Sequence, residues 1–252
     1  MGQALRALIE AADDLEVSGG VDHEPLDGAR AAAVGCGRVV TPDDAPALLA
    51  ASDVVIDFSA PAALRALLRS TSGQWRGQAL VIGTTGLGSE EESLIADVAR
   101  RAAVVQAANY SVGVNLLVQL VETAARVLPG TGFDIEIVEA HHGRKADAPS
   151  GTALALGDAA ATARGAELAA VRRDGRSGVV GARPAGEIGL HAVRGGSVVG
   201  EHRVHFLGQN ERLELTHVAT DRRLFAEGAL LAARWAQGRP AGRYRMKDVL
   251  GF

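Results

Sequence analysis

Ala79-Leu80-Val81-Ile82-Gly83-Thr84-Thr85-Gly86 decides the fold. An unbroken apolar run of this kind suits a strand buried on both faces, the mark of a parallel sheet covered by helices. It leads directly into a turn of small residues at its carboxyl end, where open α/β sheets bind their ligands. Val54-Val55-Ile56-Asp57-Phe58 upstream and Val104-Val105-Gln106 downstream read as strands of the same type. Helical segments lie between them. Ser59 and Pro61 suit N-cap and first-turn positions of a helix to about Arg69. Ser89-Glu90-Glu91-Glu92 reads as a capping box for a helix to about Arg101. Strands alternating with helices predict a doubly wound parallel sheet.

Upstream, residues 3–16 place Leu5, Leu8, Ile9, Ala12 and Leu15 at helical spacing. Val17 to Asp22 reads as a short strand ending in an acid. In βαβ nucleotide units an acid about 20 positions after a glycine-rich turn bonds the adenosine ribose. Gly2 stands 20 residues before Asp22, yet no strand precedes Gly2, and an ordinary surface acid is an equal reading. Residues 24–52 read as a loop and a short helix opened by Thr41-Pro42-Asp43-Asp44.

Downstream of Val112 the pattern changes. Leu116, Leu117, Leu120, Val121 and Ala124 mark a long amphipathic helix. Phe133, Ile135 and Ile137 alternate with Asp134 and Glu136, as in a strand with one polar face. Residues 172–187 hold Gly175, Gly178, Gly181, Pro184 and Gly186 and predict a mobile loop. Three strand candidates follow, 188–194, 197–207 and 210–219, and Gly195-Gly196 suits a tight hairpin between the first two. Leu224 to Trp235 is a final helix. The second half is therefore expected to be α+β with an antiparallel or mixed sheet.

The chain of 252 residues holds 47% hydrophobic and 22% charged residues at a net charge of -4. That is ordinary for a globular protein and lacks the basic footprint of a nucleic-acid binder. No apolar run reaches membrane-spanning length, and no basic-then-apolar leader opens the chain. Cys36 is the single cysteine, so no internal disulfide can form, which fits a reducing cytoplasm.

The chemistry is concentrated in Glu139-Ala140-His141-His142-Gly143-Arg144-Lys145-Ala146-Asp147-Ala148-Pro149-Ser150-Gly151-Thr152. Histidine exchanges protons near neutral pH. Lysine offers a compact charge and a movable proton. A Ser-Gly-Thr turn at a helix start presents backbone N–H groups and hydroxyls to an anion. Together these predict a site for a small anionic substrate that needs a proton. Arg144 reads either as a solvated cation or as a substrate contact. Adjacent histidines lack the usual spacing of metal ligands, and no metal is expected.

These residues carry a resemblance to the dihydrodipicolinate reductase family of lysine and diaminopimelate synthesis. The match runs through Ile56-Asp57-Phe58-Ser59-Ala60-Pro61, Ile82 to Gly86, Ala108-Asn109-Tyr110-Ser111-Val112-Gly113-Val114-Asn115, Glu139 to Leu154, Val199-Gly200-Glu201-His202 and Glu211 to His217. It implies a Rossmann-like nucleotide domain over residues 1–112 with 221–252. Residues 113–220 are then a domain for substrate, catalysis and tetramer formation. It further implies reduction of 4-hydroxy-tetrahydrodipicolinate, a small dicarboxylate, by NADPH or NADH in a cytoplasmic homotetramer. By the same resemblance His141 and Lys145 are the proton donors, and His142, Ser150, Gly151 and Thr152 hold the substrate. Gly83, Thr84, Thr85, Ala107, Ala108, Asn109 and Tyr110 match cofactor loops. Asp22 matches the acid on the adenosine ribose, and His23 stands where some members carry an arginine for a 2′-phosphate. Hydride transfer belongs to the cofactor, while the protein positions and polarises.

The departure from the family is at the N-terminus. Met1-Gly2-Gln3-Ala4-Leu5 matches the tail of the family's glycine-rich turn, and the first strand is missing. Either the true start lies upstream, or the chain as given binds cofactor poorly and exposes sheet edges. Two alternatives to the reductase stay open: an impaired or non-catalytic member, and a related two-domain amino-acid dehydrogenase.

Overall fold

In the computed structural model, residues 1–26, 31, 36–128, 130 and 132–252 are described, so 27–30 and 32–35 of the expected 24–52 loop lie outside the described residues. The elements in chain order are α1 (Gly2–Glu10), β1 (Gly20–Val21), β2 (Val39–Val40), α2 (Ala45–Ala50), β3 (Val54–Asp57), α3 (Pro61–Ser70), β4 (Ala79–Ile82), α4 (Ser89–Ala99) and β5 (Ala103–Gln106). Then come α5 (Val112–Val127), β6 (Phe133–His141), α6 (Gly151–Ala163), α7 (Leu168–Val171), β7 (Arg172–Asp174), β8 (Ile188–Arg194), β9 (Gly200–Gly208) and β10 (Arg212–Ala219). The chain ends with α8 (Arg223–Ala236), β11 (Gly242–Tyr244) and α9 (Met246–Leu250). Two units result: Met1–Ser111 with Arg223–Phe252, and Val112–Arg222. Among the described residues no helix is long and apolar enough to cross a membrane.

Unit 1 is a doubly wound parallel sheet of order β11-β5-β4-β3. Alternation along each strand feeds two cores. Ala79, Val81, Ala103 and Val105 face α1 and α8, where they pack with Leu5, Ala226 and Leu230. Leu80, Ile82 and Val104 face α3 and α4, packing with Leu64, Leu68, Trp75 and Ile95. β1 and β2 form a separate parallel pair.

α1 stops at Glu10 rather than near residue 16. Acids are unfavourable at a helix C-terminus, and Asp14 instead takes both ends of the Arg234 guanidinium at 2.7 Å. Of the expected strand 17–22 only Gly20 and Val21 pair. Ala60, not Ser59, is the N-cap of α3, and Ser59 donates to Asp57 at 2.6 Å. Gly88, not Ser89, is the N-cap of α4; having no side chain it forms only half of the expected box, its N–H donating to Glu91 at 2.8 Å. Glu92 is left to accept from Gln106 and Arg243.

Unit 2 is a mixed sheet of order β10-β9-β6-β8-β7. α5 and α6 cover one face, where Leu117, Val121 and Leu156 pack on Ile135, Ile137, Val204 and Phe206. β8 does not form a hairpin with β9. β6 lies between them, parallel to β8 and antiparallel to β9. Gly195 and Gly196 instead bond to the end of β6: the Gly195 N–H donates to the His141 carbonyl at 3.0 Å, and the Gly143 N–H to the Gly196 carbonyl at 3.3 Å.

The expected mobile loop 172–187 is tied to this sheet. Its first residues form β7, parallel to β8. Arg176 and Arg183 both bind Glu136, at 2.9 Å each, and Arg183 also reaches Asp134 at 2.6 Å. Burial alone would raise the Glu136 carboxyl, but bonds from Arg176, His191 and Arg183 bring it down to about 2. A carboxyl lowered by folding adds stability above its unfolded pKa and loses it as pH falls through the folded value. Such a shift is worth roughly 3 kcal/mol in full and about half that in a partly solvated cluster. Acid titration followed by circular dichroism is therefore expected to show unit 2 losing stability from about pH 4.5 downward. Glu136→Gln should flatten that slope, and an unchanged slope would refute the assignment.

Candidate active site

β6 alternates, so Glu139 and His141 share the face that carries the Ile135 and Ile137 core. Glu139 is 1% exposed. Four bonds converge on its carboxylate. Arg194 donates from both ends of its guanidinium, each at 2.7 Å. The Ser150 N–H donates to Oε1 at 2.9 Å, and His141 Nδ1 lies 2.6 Å from Oε2. Burial alone would raise this carboxyl, but Arg194, His141 and the Ser150 N–H hold it below the ordinary range. The β6–β8 register sets His141 opposite Arg194 and so explains that arginine's reach.

Ser150 is the N-cap of α6, and its Oγ accepts from the Ala153 N–H at 3.2 Å. Gly151 and Thr152 open the helix, whose N-terminus carries partial positive charge. Their side-chain environment is open at Gly151, where a Cβ would meet nothing within 4 Å. His202 Nε2 lies 3.2 Å from Ser150 Oγ, and its ring stands edge-on to His141 at 5.2 Å. Burial first, and then the neighbouring His141, push His202 down to about 4, so it is neutral near pH 7.

His142 follows the strand, and its buried Nδ1 has no hydrogen-bond partner among the described residues. The Lys145 N–H donates to the His142 carbonyl at 3.1 Å, closing a turn. Lys145 Nζ lies 2.8 Å from Asp147 Oδ1, and that bond holds the Asp147 carboxyl below its usual range. The Asp147 carbonyl accepts from Arg194 at 2.7 Å. His141, Ser150, Arg194, Asp147 and Lys145 are thus joined in one network around Glu139. Arg144 is exposed.

In unit 1 the register aligns Asp57, Ile82 and Gln106 at the carboxyl edge of the sheet. The Gly83 and Ala107 turns therefore emerge side by side, and the Ala107 N–H donates to the Ile82 carbonyl at 3.1 Å. Gly83 is required locally, because a Cβ there would lie 2.2 Å from the Phe58 ring. Thr84 is buried and donates to Asp57, while Thr85 is exposed. Ala108 is exposed, and the Asn109 side-chain oxygen accepts the Ser111 N–H at 2.8 Å. The Tyr110 side chain is committed to the core: it is 1% exposed, with its hydroxyl 2.8 Å from the Ile82 carbonyl and 2.9 Å from that of Val105. Any cofactor contact at Tyr110 falls to the backbone. Asp22 and His23 are an exposed pair, with the His23 N–H donating to Asp22 at 2.7 Å. The small turns after β4 and β5 suit the approach of a dinucleotide, and Asp22, at the end of β1, is an acid suited to a ribose.

Glu139, Arg194 and His202 were not among the expected site residues. Glu139 carried a readable signal, since residues two apart on a strand share a face. Arg194 and His202 come from β8 and β9, and only the sheet order brings them here.

Comparison with known proteins agrees with both halves. The dihydrodipicolinate reductase N-terminus model matches residues 1–110, and the C-terminus model matches residues 113–250. A 4-hydroxy-tetrahydrodipicolinate reductase of a Ruegeria species is 48% identical, covering 100% of this chain and 94% of its own. One from an Anaeromyxobacter species is 47% identical with the same coverages. A dipicolinate-bound dihydrodipicolinate reductase from a Paenisporosarcina species has a similar fold, with a TM-score of 0.75 at 22% identity over 97% of this chain and 92% of that one. An amine dehydrogenase of Mycobacterium smegmatis shares the fold more loosely, with a TM-score of 0.58 at 13% identity over 96% and 90%. With both halves matched and full-length relatives at nearly half identity, the chain belongs to the dihydrodipicolinate reductase family.

Proposed function

We propose that this chain reduces 4-hydroxy-tetrahydrodipicolinate to tetrahydrodipicolinate with NADPH or NADH. The observation that carries the reading is the gathering of His141, Ser150 and the head of α6 around one buried carboxylate, within a family of reductases of this substrate. The net reaction gives the ring a hydride and a proton and releases water. When bound, the reduced nicotinamide supplies the hydride.

The roles of the chain's own residues follow from their chemistry. His141 gives the proton, and Lys145 is the second donor. Ser150, Gly151, Thr152 and His142 receive the substrate carboxylates, which call for N–H groups, hydroxyls and cations. Gly83, Thr84, Thr85, Ala107, Ala108, Asn109 and the Tyr110 backbone line the nicotinamide end. Asp22 takes the adenosine ribose, and the exposed His23 offers its ring to a 2′-phosphate.

The assembly is proposed as a homotetramer. The sheet face of unit 2 turned away from α5 and α6 exposes Val193, Leu207 and Val218 at 52%, 37% and 50%, and apolar patches of this sort mark interfaces. A cytoplasmic setting suits a chain whose one cysteine forms no internal disulfide.

The test is to generate the unstable substrate in situ and follow nicotinamide absorbance with NADPH and NADH in parallel. Oxidation of either is expected, and their relative rates rank the cofactors. No oxidation with either would overturn the reading.

A further inference from the structure

We propose that Glu139 is a positioning residue that sets the tautomer of His141, keeping one ring proton on Nδ1 and so making Nε2 the atom that gives and regains the reacting proton. The proposal rests on the reading of His141 as a proton donor. It goes beyond it by naming which nitrogen reacts and what fixes that choice.

An ionised carboxylate can only accept hydrogen bonds. Oε2 lies 2.6 Å from His141 Nδ1, so the proton between them belongs to the ring nitrogen. The carboxylate is itself immobilised: its side chain is 0% exposed, and Arg194 and the Ser150 N–H occupy its remaining lone pairs. The hydrogen bond made by one imidazole nitrogen decides the state of the other.

The opposite side of the ring is kept clear. A Cβ at Gly200 would lie 3.1 Å from His141 Nε2, and glycine leaves that space open. His202, the nearest ring, is turned to Ser150 through its own Nε2 and does not compete. When imidazolium His141 gives up the Nε2 proton, the neutral ring left behind is the Nδ1–H form that Glu139 already binds. No proton moves at Glu139.

A plainer role also fits these contacts. Glu139 pins the end of β6 to the start of α6, and it could do only that. Glu139→Gln separates the two. The amide oxygen at the Oε1 position can still accept from the Ser150 N–H and from one end of Arg194, which keeps β6 joined to α6, while the second Arg194 bond, to Oε2, is lost. Its NH2 group then faces His141 Nδ1 and demands an acceptor there, which turns the neutral ring to the Nε2–H form.

The experiment is nitrogen NMR of the full-length protein labelled at histidine, with His141 assigned by its loss in His141→Gln. The neutral wild-type ring is expected as Nδ1–H, and the ring in Glu139→Gln as Nε2–H. In steady-state assays Glu139→Gln should lower kcat about 100-fold, within the range for a positioned acid or base, with KM changed less than about threefold. An Nε2–H ring in the wild type would overturn the proposal, as would a Glu139→Gln kcat within about threefold of wild type. If Glu139→Gln does not fold, the wild-type tautomer alone decides. If the wild type oxidises neither cofactor, the reductase reading fails, while the tautomer still decides the role of Glu139.

Discussion

Lys145→Ala is expected to lower kcat by about 100-fold or more, because a general acid placed at the reacting group contributes on the order of 10²–10⁴. KM should rise as well, since the variant also removes a cation from beside a dicarboxylate. The fold should survive. Lys145 sits in a turn, and its ion partner Asp147 is 62% exposed at the side chain. A pair of that kind contributes at most about 1 kcal/mol. The neighbouring Arg144 is the control, being an exposed cation one residue away that makes no hydrogen bond or ion pair among the described residues. Arg144→Ala should leave kcat within about threefold, so a large fall at Lys145 alone would separate a placed proton from general positive charge. Steady-state kinetics with a thermal melt of each variant would check this. Near-normal turnover of Lys145→Ala would remove it from the mechanism.

What was legible before the structure follows from where each element gets its stability. β4 is buried on both faces, β5 nearly so, and β3 is half-buried at the sheet edge, so the apolar runs Ala79–Ile82, Ala103–Val105 and Val54–Ile56 are readable on their own. β7 is Arg172-Arg173-Asp174 and is exposed throughout. It is a strand only because β8 offers an open edge, and no apolar pattern records that. β11, three residues long and only partly buried, relies on β5 in the same way. The Gly195-Gly196 hairpin failed for a related reason. Two alternating strands joined by glycines form a hairpin when nothing intervenes, but here β6, with its Ile135 and Ile137 core, takes the place between them. The same insertion completes the site. The proposed proton donors stand out in the sequence by residue type, His141 and Lys145, whereas Arg194 and His202 reach Glu139 and Ser150 only through strand order. The glycine-rich segment 172–187 looked mobile because its anchors, Arg176 and Arg183, find their carboxylates on β6, about 40 residues earlier in the chain.

Gly228→Ala is expected to destabilise unit 1 by about 2 kcal/mol or more, although local propensity argues the other way. Gly228 lies inside α8, where replacing glycine by alanine normally gains about 1 kcal/mol. The surroundings reverse the sign. A Cβ at this position would lie 1.7 Å from the Tyr110 carbonyl oxygen and 2.8 Å from its carbonyl carbon. Those are backbone atoms, and they cannot retreat easily. The Tyr110 ring is buried against Phe58 at 5.3 Å, and its hydroxyl is held by the Ile82 and Val105 carbonyls. Overpacking in a site that cannot relax costs about 3 kcal/mol or more, which outweighs the helical gain. The strain falls on the Ala107–Tyr110 turn, so cofactor affinity should drop together with stability. A thermal melt should show Tm lowered by about 5 °C, and calorimetry should show weaker NADPH binding. An unchanged or higher Tm would mean that α8 can shift away from the turn, and the turn would then owe its shape to its own Asn109 and Tyr110 bonds instead.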